Sequence, residues 1–198
     1  MLLPYLNKKK IEAGCDEAGR GCLAGPVVAA AVIWNPKIEL IGLNDSKQLS
    51  KKKREELTPL IKSNAIAWAT GLVEPQEIDQ INILNASFLA MHRALKKLQK
   101  TPNFILVDGN RFNRYQEIEH CCIIKGDGKY LSIAAASILA KTYRDKVMED
   151  YAIQFPQYGW EKNAGYPTRF HRQAIAEFGP SPMHRMSFKL LPDQLTLF

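Results

Sequence analysis

Four acidic side chains stand where predicted strands end or a predicted helix begins. Asp16 and Glu17 follow the first predicted strand, Asp108 follows the fourth, and Asp127 lies just ahead of a long predicted helix. Because functional groups gather outside the strand ends of an open α/β sheet, we expect these carboxylates to converge. The pattern therefore predicts an acidic cluster at one edge of a sheet.

An acidic cluster of this kind suits metal-dependent chemistry. Neighbouring carboxylates raise one another's pKa unless a cation lies between them. Mg²⁺ and Mn²⁺ prefer such all-oxygen sites, and two ions about 4 Å apart can hold the attacking and leaving oxygens of a phosphodiester. We therefore expect Mn²⁺ or Mg²⁺ as the cofactor.

Each acid also has a purely structural interpretation. Asp108 with the glycine after it is typical of a turn, Asp127 could cap the following helix, and the Asp16–Glu17 pair could bind Arg20. Neighbours on a regular strand also point to opposite faces, so Asp16 and Glu17 can share a site only if the strand breaks there. The glycines that follow favour such a break.

Hydrophobic patterning predicts the elements that must position the acids. Strands are predicted at 11–16, 27–34, 65–73, 103–108 and 121–124, and helices at about 51–62, 84–98, 130–154 and 168–178. Ser50 is placed to cap the first helix, and Pro59 predicts a kink or a split within it. The second strand is expected to run antiparallel to the first. This order of elements indicates a mixed α/β sheet with helices on its faces.

Composition narrows the class of protein. Apolar residues make up 46% of the 198 residues and charged residues 24%, which is typical of a globular chain and argues against disorder or a coiled coil. The weakly polar run Leu23–Trp34 is too short to span a bilayer, and the N-terminal lysines follow an apolar stretch instead of preceding one. We therefore expect a cytoplasmic protein with no membrane partner.

Charge and cysteine usage add two expectations. Twenty-seven Lys and Arg against twenty Asp and Glu give a net charge of +7, which suits a polyanionic partner without fixing a function. The four cysteines show no C-x-x-C spacing. They are expected to be reduced, buried packing residues.

A series of short motifs resembles the ribonuclease HII family, in the family's order, over about residues 11–188. The motifs are Cys15–Gly21, Ala24–Ala29, Asn44–Ser50, Val107–Gly109, Lys125–Asp127, Ser132–Lys141, Arg144–Asp145 and Gly165–Thr168 with His171. One departure is Pro167, which stands where the family usually has Gly.

The resemblance implies an RNase H-like fold, a mixed five-stranded sheet flanked by helices with a C-terminal helical extension. It implies metal-dependent endonucleolytic cleavage of the RNA strand in RNA–DNA hybrids and at single ribonucleotides embedded in duplex DNA. Asp16, Glu17, Asp108 and Asp127 match the metal-binding catalytic acids of the family. One ion would activate water and the other would stabilise the departing 3′ oxygen, leaving 5′-phosphate and 3′-hydroxyl ends.

The same resemblance assigns the substrate contacts. Gly19, Arg20 and Gly21 match a ribose-reading loop, in which glycines let the backbone approach the 2′-hydroxyl and Arg20 is placed for the adjacent phosphate. Tyr166 is implied to stack on the deoxyribose that follows the ribonucleotide. Lys47 is a candidate phosphate contact.

Several assignments stay open at this stage. Lys47, Lys125 and Lys141 could each bind phosphate or lie solvated on the surface, and the same holds for the basic run Lys51–Arg54. His171 could orient a substrate group or simply pack. The alternatives to the nuclease are a nucleic-acid-binding module without chemistry and an RNase H-like nuclease with another substrate, such as a DNA resolvase.

The last five residues resemble the peptide with which proteins bind the bacterial sliding clamp. Leu195, Leu197 and Phe198 offer apolar anchors and Gln194 an amide, although such a tail could also fold back on the core. We expect a catalytic domain at 1–154, a helical extension at 155–190, a tail at 191–198, and a monomer.

Overall fold

The computed structural model describes residues 2–40, 42–43 and 46–191. Its centre is a five-stranded mixed sheet. The strands are β1 (Glu12–Ala18), β2 (Val27–Ile33), β3 (Ala67–Val73), β4 (Phe104–Asp108) and β5 (Glu119–Ile123). Their order is β3-β2-β1-β4-β5, with antiparallel pairing from β3 to β1 and parallel pairing from β1 to β5. The predicted mixed sheet and the antiparallel β1–β2 pair are confirmed.

The described residues form five α-helices, of which the first three pack on the faces of the sheet. They are α1 (Lys51–Asn64), α2 (Pro75–Lys96), α3 (Leu131–Gln154), α4 (Trp160–Asn163) and α5 (Arg169–Phe178). Ser50 caps α1 as predicted, because its side chain accepts a hydrogen bond from the Lys53 amide at 3.2 Å. The predicted split at Pro59 does not occur. Pro59 and Glu55 lie on the exposed face of α1, where water can satisfy the carbonyl that proline leaves unpaired.

Helix α2 is interrupted at Asn82, which has a φ of 65°. The Asn82 side chain accepts hydrogen bonds from the amides of Leu84 and Asn85, at 3.0 and 3.1 Å, and so caps the second half. The helix predicted at 84–98 corresponds to this second half. The observed α2 begins earlier, at Pro75, and ends at Lys96, so Leu98 lies beyond it. Of the described helices, none is long and apolar enough to cross a membrane.

The core lies on both faces of the sheet. Ala29, Ala31 and Ile33 of β2 pack toward α2, whereas Val28 and Ala30 pack toward α1 and α3. Alternation along a strand explains why β2 is buried from end to end. A third apolar cluster joins the C-terminal segment to the bend after β1 and to the end of α3.

Glycine in β1 lets α3 approach the sheet closely. A Cβ added at Gly14 would lie 2.4 Å from the main-chain carbon of Ser132. This contact places the first turns of α3 beside the C-terminal end of β1, where the acids lie.

The cysteine expectation is partly wrong. All four cysteines are free thiols, and Cys15 and Cys22 are buried, but Cys121 and Cys122 are only half-buried. The reason is that they belong to β5, an edge strand of the sheet.

Candidate active site

Three of the four predicted acids converge at the C-terminal ends of the parallel strands. Asp16 lies in β1, Asp108 ends β4, and Asp127 lies in a short 3₁₀ turn, Gly126–Gly128. One carboxylate oxygen of each lies within 4.8 Å of the others. Parallel pairing of β1 with β4 explains why Asp16 and Asp108 are close, because it sets the residues before them side by side.

Backbone hydrogen bonds fix the turn that carries the third acid. The Gly126 amide donates to Asp108 Oδ1 at 2.7 Å, which holds the turn against the end of β4. The Gly128 amide donates to Asp127 Oδ1 at 3.0 Å. Asp127 does not cap α3, whose N-cap is Tyr130. The structural interpretation of Asp127 as a helix cap therefore fails.

Glu17 stands apart from the three aspartates. The predicted strand break is wrong, because β1 runs without interruption to Ala18 and regular alternation separates Asp16 from Glu17. The Glu17 carboxylate instead accepts a hydrogen bond from Arg20 Nη1 at 3.2 Å. Both acids still line one cavity of about 410 Å³, near the end of β1.

Electrostatics make the cluster costly in the absence of a cation. Burial raises the pKa of Asp16 well above its usual range, and the charges of Glu17 and Asp108 raise it further. Asp16 and Asp127 are each 5% exposed. Burial also raises the pKa of Glu17, against the opposing effect of the Arg20 guanidinium. Oxygen-only donors with mutually repelling charges are the chemistry that a divalent cation satisfies, so these residues fit such an ion.

Two serines beside the acids were not predicted. Ser137 hydrogen-bonds the Asp16 carboxylate, and its hydroxyl lies 2.8 Å from that of Ser46. Both serines are buried and line the same cavity. They lie within two of the motifs noted above, but a serine hydroxyl has no characteristic spacing from which a role could be inferred.

The predicted ribose-reading loop is held by buried arginines. Gly19 has a φ of 97°, and a Cβ there would lie 2.1 Å from Arg144 Nε. Arg144 donates to the carbonyls of Pro26 and Ala24, both at 3.0 Å, and Arg185 donates to the carbonyl of Arg20, also at 3.0 Å. Glycine at position 19 is therefore required both by the backbone angle and by the space. The Arg20 side chain is about half exposed and lines the cavity.

Tyr166 and two of the candidate lysines share the cavity with the acids. Tyr166 is 40% exposed, and Lys141 Nζ lies 5.7 Å from its ring centroid. Lys141 also pairs with Asp145 at 2.5 Å. Lys47 lines the same cavity and lies near enough to Glu17 to oppose the rise in its pKa. Lys125 is not among the residues that line this cavity.

The basic run of α1 is engaged by acids of the protein itself. Lys51 pairs with Glu149, and Lys53 with Glu56 at 3.4 Å. Arg54 pairs with Asp145 at 3.2 Å and donates to two main-chain carbonyls. His171 is fully buried and is not among the residues that line the cavity beside the acids. The predicted clamp-binding residues Gln194, Leu195, Leu197 and Phe198 lie outside the described residues.

A sheet of this topology with a carboxylate cluster at its strand ends defines the class of RNase H-like nucleases, and comparisons with known proteins agree. The family model of ribonuclease HII matches residues 13–191. The ribonuclease HII of Parabacteroides distasonis is 62% identical over 197 residues, which cover 100% of this chain and 99% of that protein.

Solved structures show the same fold. Ribonuclease H2 of Pyrococcus horikoshii superposes with a TM-score of 0.75 at 28% identity, covering 90% of this chain and 94% of that one. Ribonuclease HII of Archaeoglobus fulgidus, solved in complex with PCNA, gives a TM-score of 0.75 at 27% identity, with 95% and 100% covered. The chain belongs to the ribonuclease HII family. It is a ribonuclease H, an endonuclease that acts on RNA–DNA hybrids.

Proposed function

We propose that this enzyme cuts the RNA strand of RNA–DNA hybrids and also cuts at single ribonucleotides embedded in duplex DNA. The observation that carries the proposal is the sharing of one cavity. Asp16 and Asp108 of the aspartate cluster, the loop Gly19–Gly21 and Tyr166 all line the same space of about 410 Å³, and Asp127 lies beside these two aspartates. Two successive nucleotides of a bound strand would therefore meet a phosphodiester-cutting centre, a reader of the ribose and a reader of the following sugar together.

In this proposal Asp16, Asp108 and Asp127 hold divalent cations, Mg²⁺ or Mn²⁺, with Glu17 as a fourth acid at the cavity mouth. Bound ions of this type supply an activated water and stabilise the departing 3′ oxygen, so the products are a 5′-phosphate and a 3′-hydroxyl. The chain's own part is orientation. Ser137 and the Glu17 amide hold the Asp16 carboxylate, and the Gly126 amide holds that of Asp108.

The ribose is read by the main chain of Gly19–Gly21. RNA differs from DNA at this point only by a hydroxyl, which both donates and accepts hydrogen bonds. Arg185 donates to the Arg20 carbonyl and Arg144 packs against Gly19, so this backbone presents fixed donors and acceptors to that hydroxyl. Arg20, with Lys47 and Lys141, supplies positive charge for the flanking phosphates.

Tyr166 reads the sugar on the other side of the cleavage site. Its ring forms one wall of the cavity, and it belongs to the helical extension at 155–190, which we propose as a unit added to the catalytic domain at 1–154. A flat ring packs well on a deoxyribose, which lacks the 2′-hydroxyl. An RNA-to-DNA junction would thus be preferred over uniform RNA.

We further propose that residues 191–198 bind the bacterial sliding clamp through Gln194–Phe198. The sequence of this tail supports the proposal, as does the A. fulgidus ribonuclease HII solved with PCNA. Deleting Gln194–Phe198 should abolish binding to the clamp of the same organism, measured by calorimetry, and should spare cleavage of a short oligonucleotide. Full-length protein without measurable affinity at tens of micromolar would refute the clamp proposal.

The catalytic proposal is tested with three duplexes, each with Mg²⁺, with Mn²⁺ and with chelator alone. The duplexes are a uniform RNA–DNA hybrid, DNA with one embedded ribonucleotide, and DNA alone. We expect metal-dependent cleavage of the first two, with 5′-phosphate ends, and an intact third. Cleavage of the all-DNA duplex, or an uncut single ribonucleotide, would contradict the proposed specificity.

A further inference from the structure

We propose that His171 is a positioning residue: its Nδ1–H group fixes the main chain at Tyr166 and thereby holds the ring where it reads the RNA-to-DNA junction. The inference rests on the proposed junction reading by Tyr166. It begins with a cluster of buried side chains behind the cavity wall, formed by Tyr158, Trp160, His171 and His184 with Ser181.

The hydrogen bonds of this cluster determine the proton positions on both histidines. Trp160 Nε1 can only donate, and it lies 3.0 Å from His171 Nε2, so that nitrogen carries no proton. The proton of neutral His171 is therefore on Nδ1, which lies 2.9 Å from the main-chain oxygen of Tyr166. His171 thus donates directly to the backbone of Tyr166.

The second histidine completes the network. His184 Nε2 lies 3.1 Å from His171 Nε2 and must donate to it, because that nitrogen is already an acceptor. His184 Nδ1 is then an acceptor, and the Ser181 amide donates to it at 2.9 Å. One tautomer of each ring gives every contact a donor and an acceptor, with the lone pair of His171 Nε2 shared between Trp160 and His184, so the network specifies a single arrangement.

The surroundings make this arrangement rigid. Tyr158 and Trp160 stack with ring centroids 5.1 Å apart and an angle of 18°, and His184 packs edge-on against Tyr158 at 4.7 Å. His171 is 0% exposed and lies in the first turn of α5. Burial lowers the pKa of His171. Burial and the neighbouring His171 together lower the pKa of His184 to about 4. Both rings therefore stay neutral at physiological pH, and the donor at Nδ1 is permanent.

The turn that carries Tyr166 is also attached at the two residues before it. The Leu23 amide donates to the carbonyl of Gly165, and Arg144 Nη1 donates to that of Ala164, both at 2.8 Å. His171 adds the bond at Tyr166 itself and links that carbonyl to the buried cluster. Its loss would leave the earlier attachments in place and release the Tyr166 main chain, and with it the orientation of the ring, from the cluster.

The amide side chains allow a matched test. Asn places its Nδ2–H group close to the position of His Nδ1, whereas Gln reaches the position of Nε2. His171→Asn should therefore keep the donor to Tyr166, and His171→Gln should keep an acceptor for Trp160 while losing that donor. We expect His171→Gln to lower the ratio of single-ribonucleotide cleavage to uniform-hybrid cleavage about tenfold, the rate equivalent of one lost hydrogen bond. His171→Asn should preserve most of the ratio.

His92 provides the control. Its Nε2 also lies 2.9 Å from a loop carbonyl, that of Asn113, and it also packs against aromatic rings. His92→Gln should leave the ratio unchanged. In a Tyr166→Ala background, His171→Gln should have no further effect on the ratio, because no ring remains to be positioned.

The outcomes separate this inference from the function on which it rests. If Tyr166→Ala lowers the ratio but His171→Gln lowers both rates equally or neither, the inference is overturned and the proposed function stands. If Tyr166→Ala lowers both rates equally, junction reading fails. The inference is then judged by ¹⁹F NMR of 3-fluorotyrosine at position 166: a resonance that shifts or broadens in His171→Gln but not in His92→Gln supports positioning, and an unchanged resonance refutes it.

Discussion

Two regions of this enzyme gather like charges in buried surroundings, and they do so with opposite results. The aspartate cluster brings Asp16, Asp108 and Asp127 together, Asp16 and Asp108 line a cavity, and the charge of Asp108 helps to raise the pKa of Asp16. Arg144 and Arg185 lie beneath the loop that follows β1, and both are 0% exposed. Neither arginine forms an ion pair with a carboxylate within the described part of the chain.

Main-chain carbonyls make the difference, fully at Arg144 and in part at Arg185. Arg185 donates through Nε and Nη1 to the carbonyls of Gly25 and Arg20, whereas its buried Nη2 lacks a partner within the described residues. Arg144 donates to the carbonyls of Pro26, Ala24 and Ala164 at 2.8–3.0 Å, so its charge is solvated by fixed dipoles of the protein.

Asp16 accepts from the Glu17 amide and Ser137, and Asp108 accepts from the Gly126 amide, while both side chains line the cavity. A buried charge that is solvated internally stabilises a fold, whereas one that is left incompletely solvated is available for a ligand.

Removing one acid should abolish chemistry without harming the fold. Asp108→Asn keeps the shape of the side chain but removes a charged ligand, so cleavage of both RNA-containing duplexes should fall at least ~100-fold while duplex binding persists. The melting temperature should not fall, because one repulsive charge is lost. Asp150→Asn, at an exposed ion pair with Lys146, is the control. Near-normal turnover in saturating Mg²⁺ would remove Asp108 from the metal site.

Removing a buried arginine should have the converse effect. Arg144→Met leaves three carbonyls without their donor, and the free energy of unfolding should fall by about 3–5 kcal/mol. For a domain of this size, that is a drop of roughly 10 °C in melting temperature. The exposed Arg169→Met should change little. A melting temperature within 2–3 °C of the parent is equivalent to about 1 kcal/mol. It would show that the arginine is dispensable and that its internal solvation by carbonyls does not stabilise the fold.

The buried histidines should make the same region acid-sensitive. The pKa of His184 is lowered from its ordinary value of 6.5 to about 4 in the folded protein. As the pH falls, the unfolded chain therefore takes up a proton at His184 before the folded protein does. The stability that His184 contributes is complete above pH 6.5 and is lost between pH 6.5 and 4, by about 2 kcal/mol from pH 7 to 5. Urea unfolding of the parent and of His184→Gln at pH 7, 6 and 5 isolates this effect. If the free energy of unfolding falls equally with pH in the two proteins, the effect is refuted, because groups that both proteins share, such as Asp16, then account for the whole pH dependence.

Tyr166→Ala should alter selectivity more than activity. Loss of the ring removes the contact with the sugar, while the aspartates serve both substrates. We expect cleavage at an isolated ribonucleotide to fall about tenfold more than cleavage of a uniform hybrid, as for the loss of one stacking contact. Phe178→Ala, at an exposed ring of the same extension, is the control. Equal losses on both substrates would show that Tyr166 is only structural.

The smallest effect is expected at the surface. Each phosphate contact adds about −0.9 to the slope of log binding constant against log salt concentration. Arg20→Glu should flatten that slope by about one unit, measured by fluorescence anisotropy with an uncleavable duplex. Lys52→Glu, on the exposed face of α1, gives a matched change of charge away from the cavity. If both variants alter the slope equally, Arg20 contributes only its net charge.

Much of the catalytic arrangement follows from local pattern, and the rest does not. Strand ends and ordered motifs predicted Asp16, Asp108 and Asp127, because parallel strands bring such ends together. The same pattern predicted a strand break at Glu17, whereas β1 continues to Ala18. The continuity depends on pairing with β2, a long-range contact. Ser46, Arg185 and His184 could not be predicted, since their partners are main-chain atoms or residues far along the chain.

The pairing of β1 with β4 also has a consequence for the order in which the chain is made. Asp16 leaves the ribosome early, but β4 and the turn with Asp127 follow only after α1 and α2 have been synthesised. Until then β1 has one unpaired edge, which a nascent domain must protect from association with other chains. The aspartate cluster cannot exist on such a partial chain. A growing polypeptide, held beside the messenger RNA that encodes it, thus carries no assembled nuclease centre.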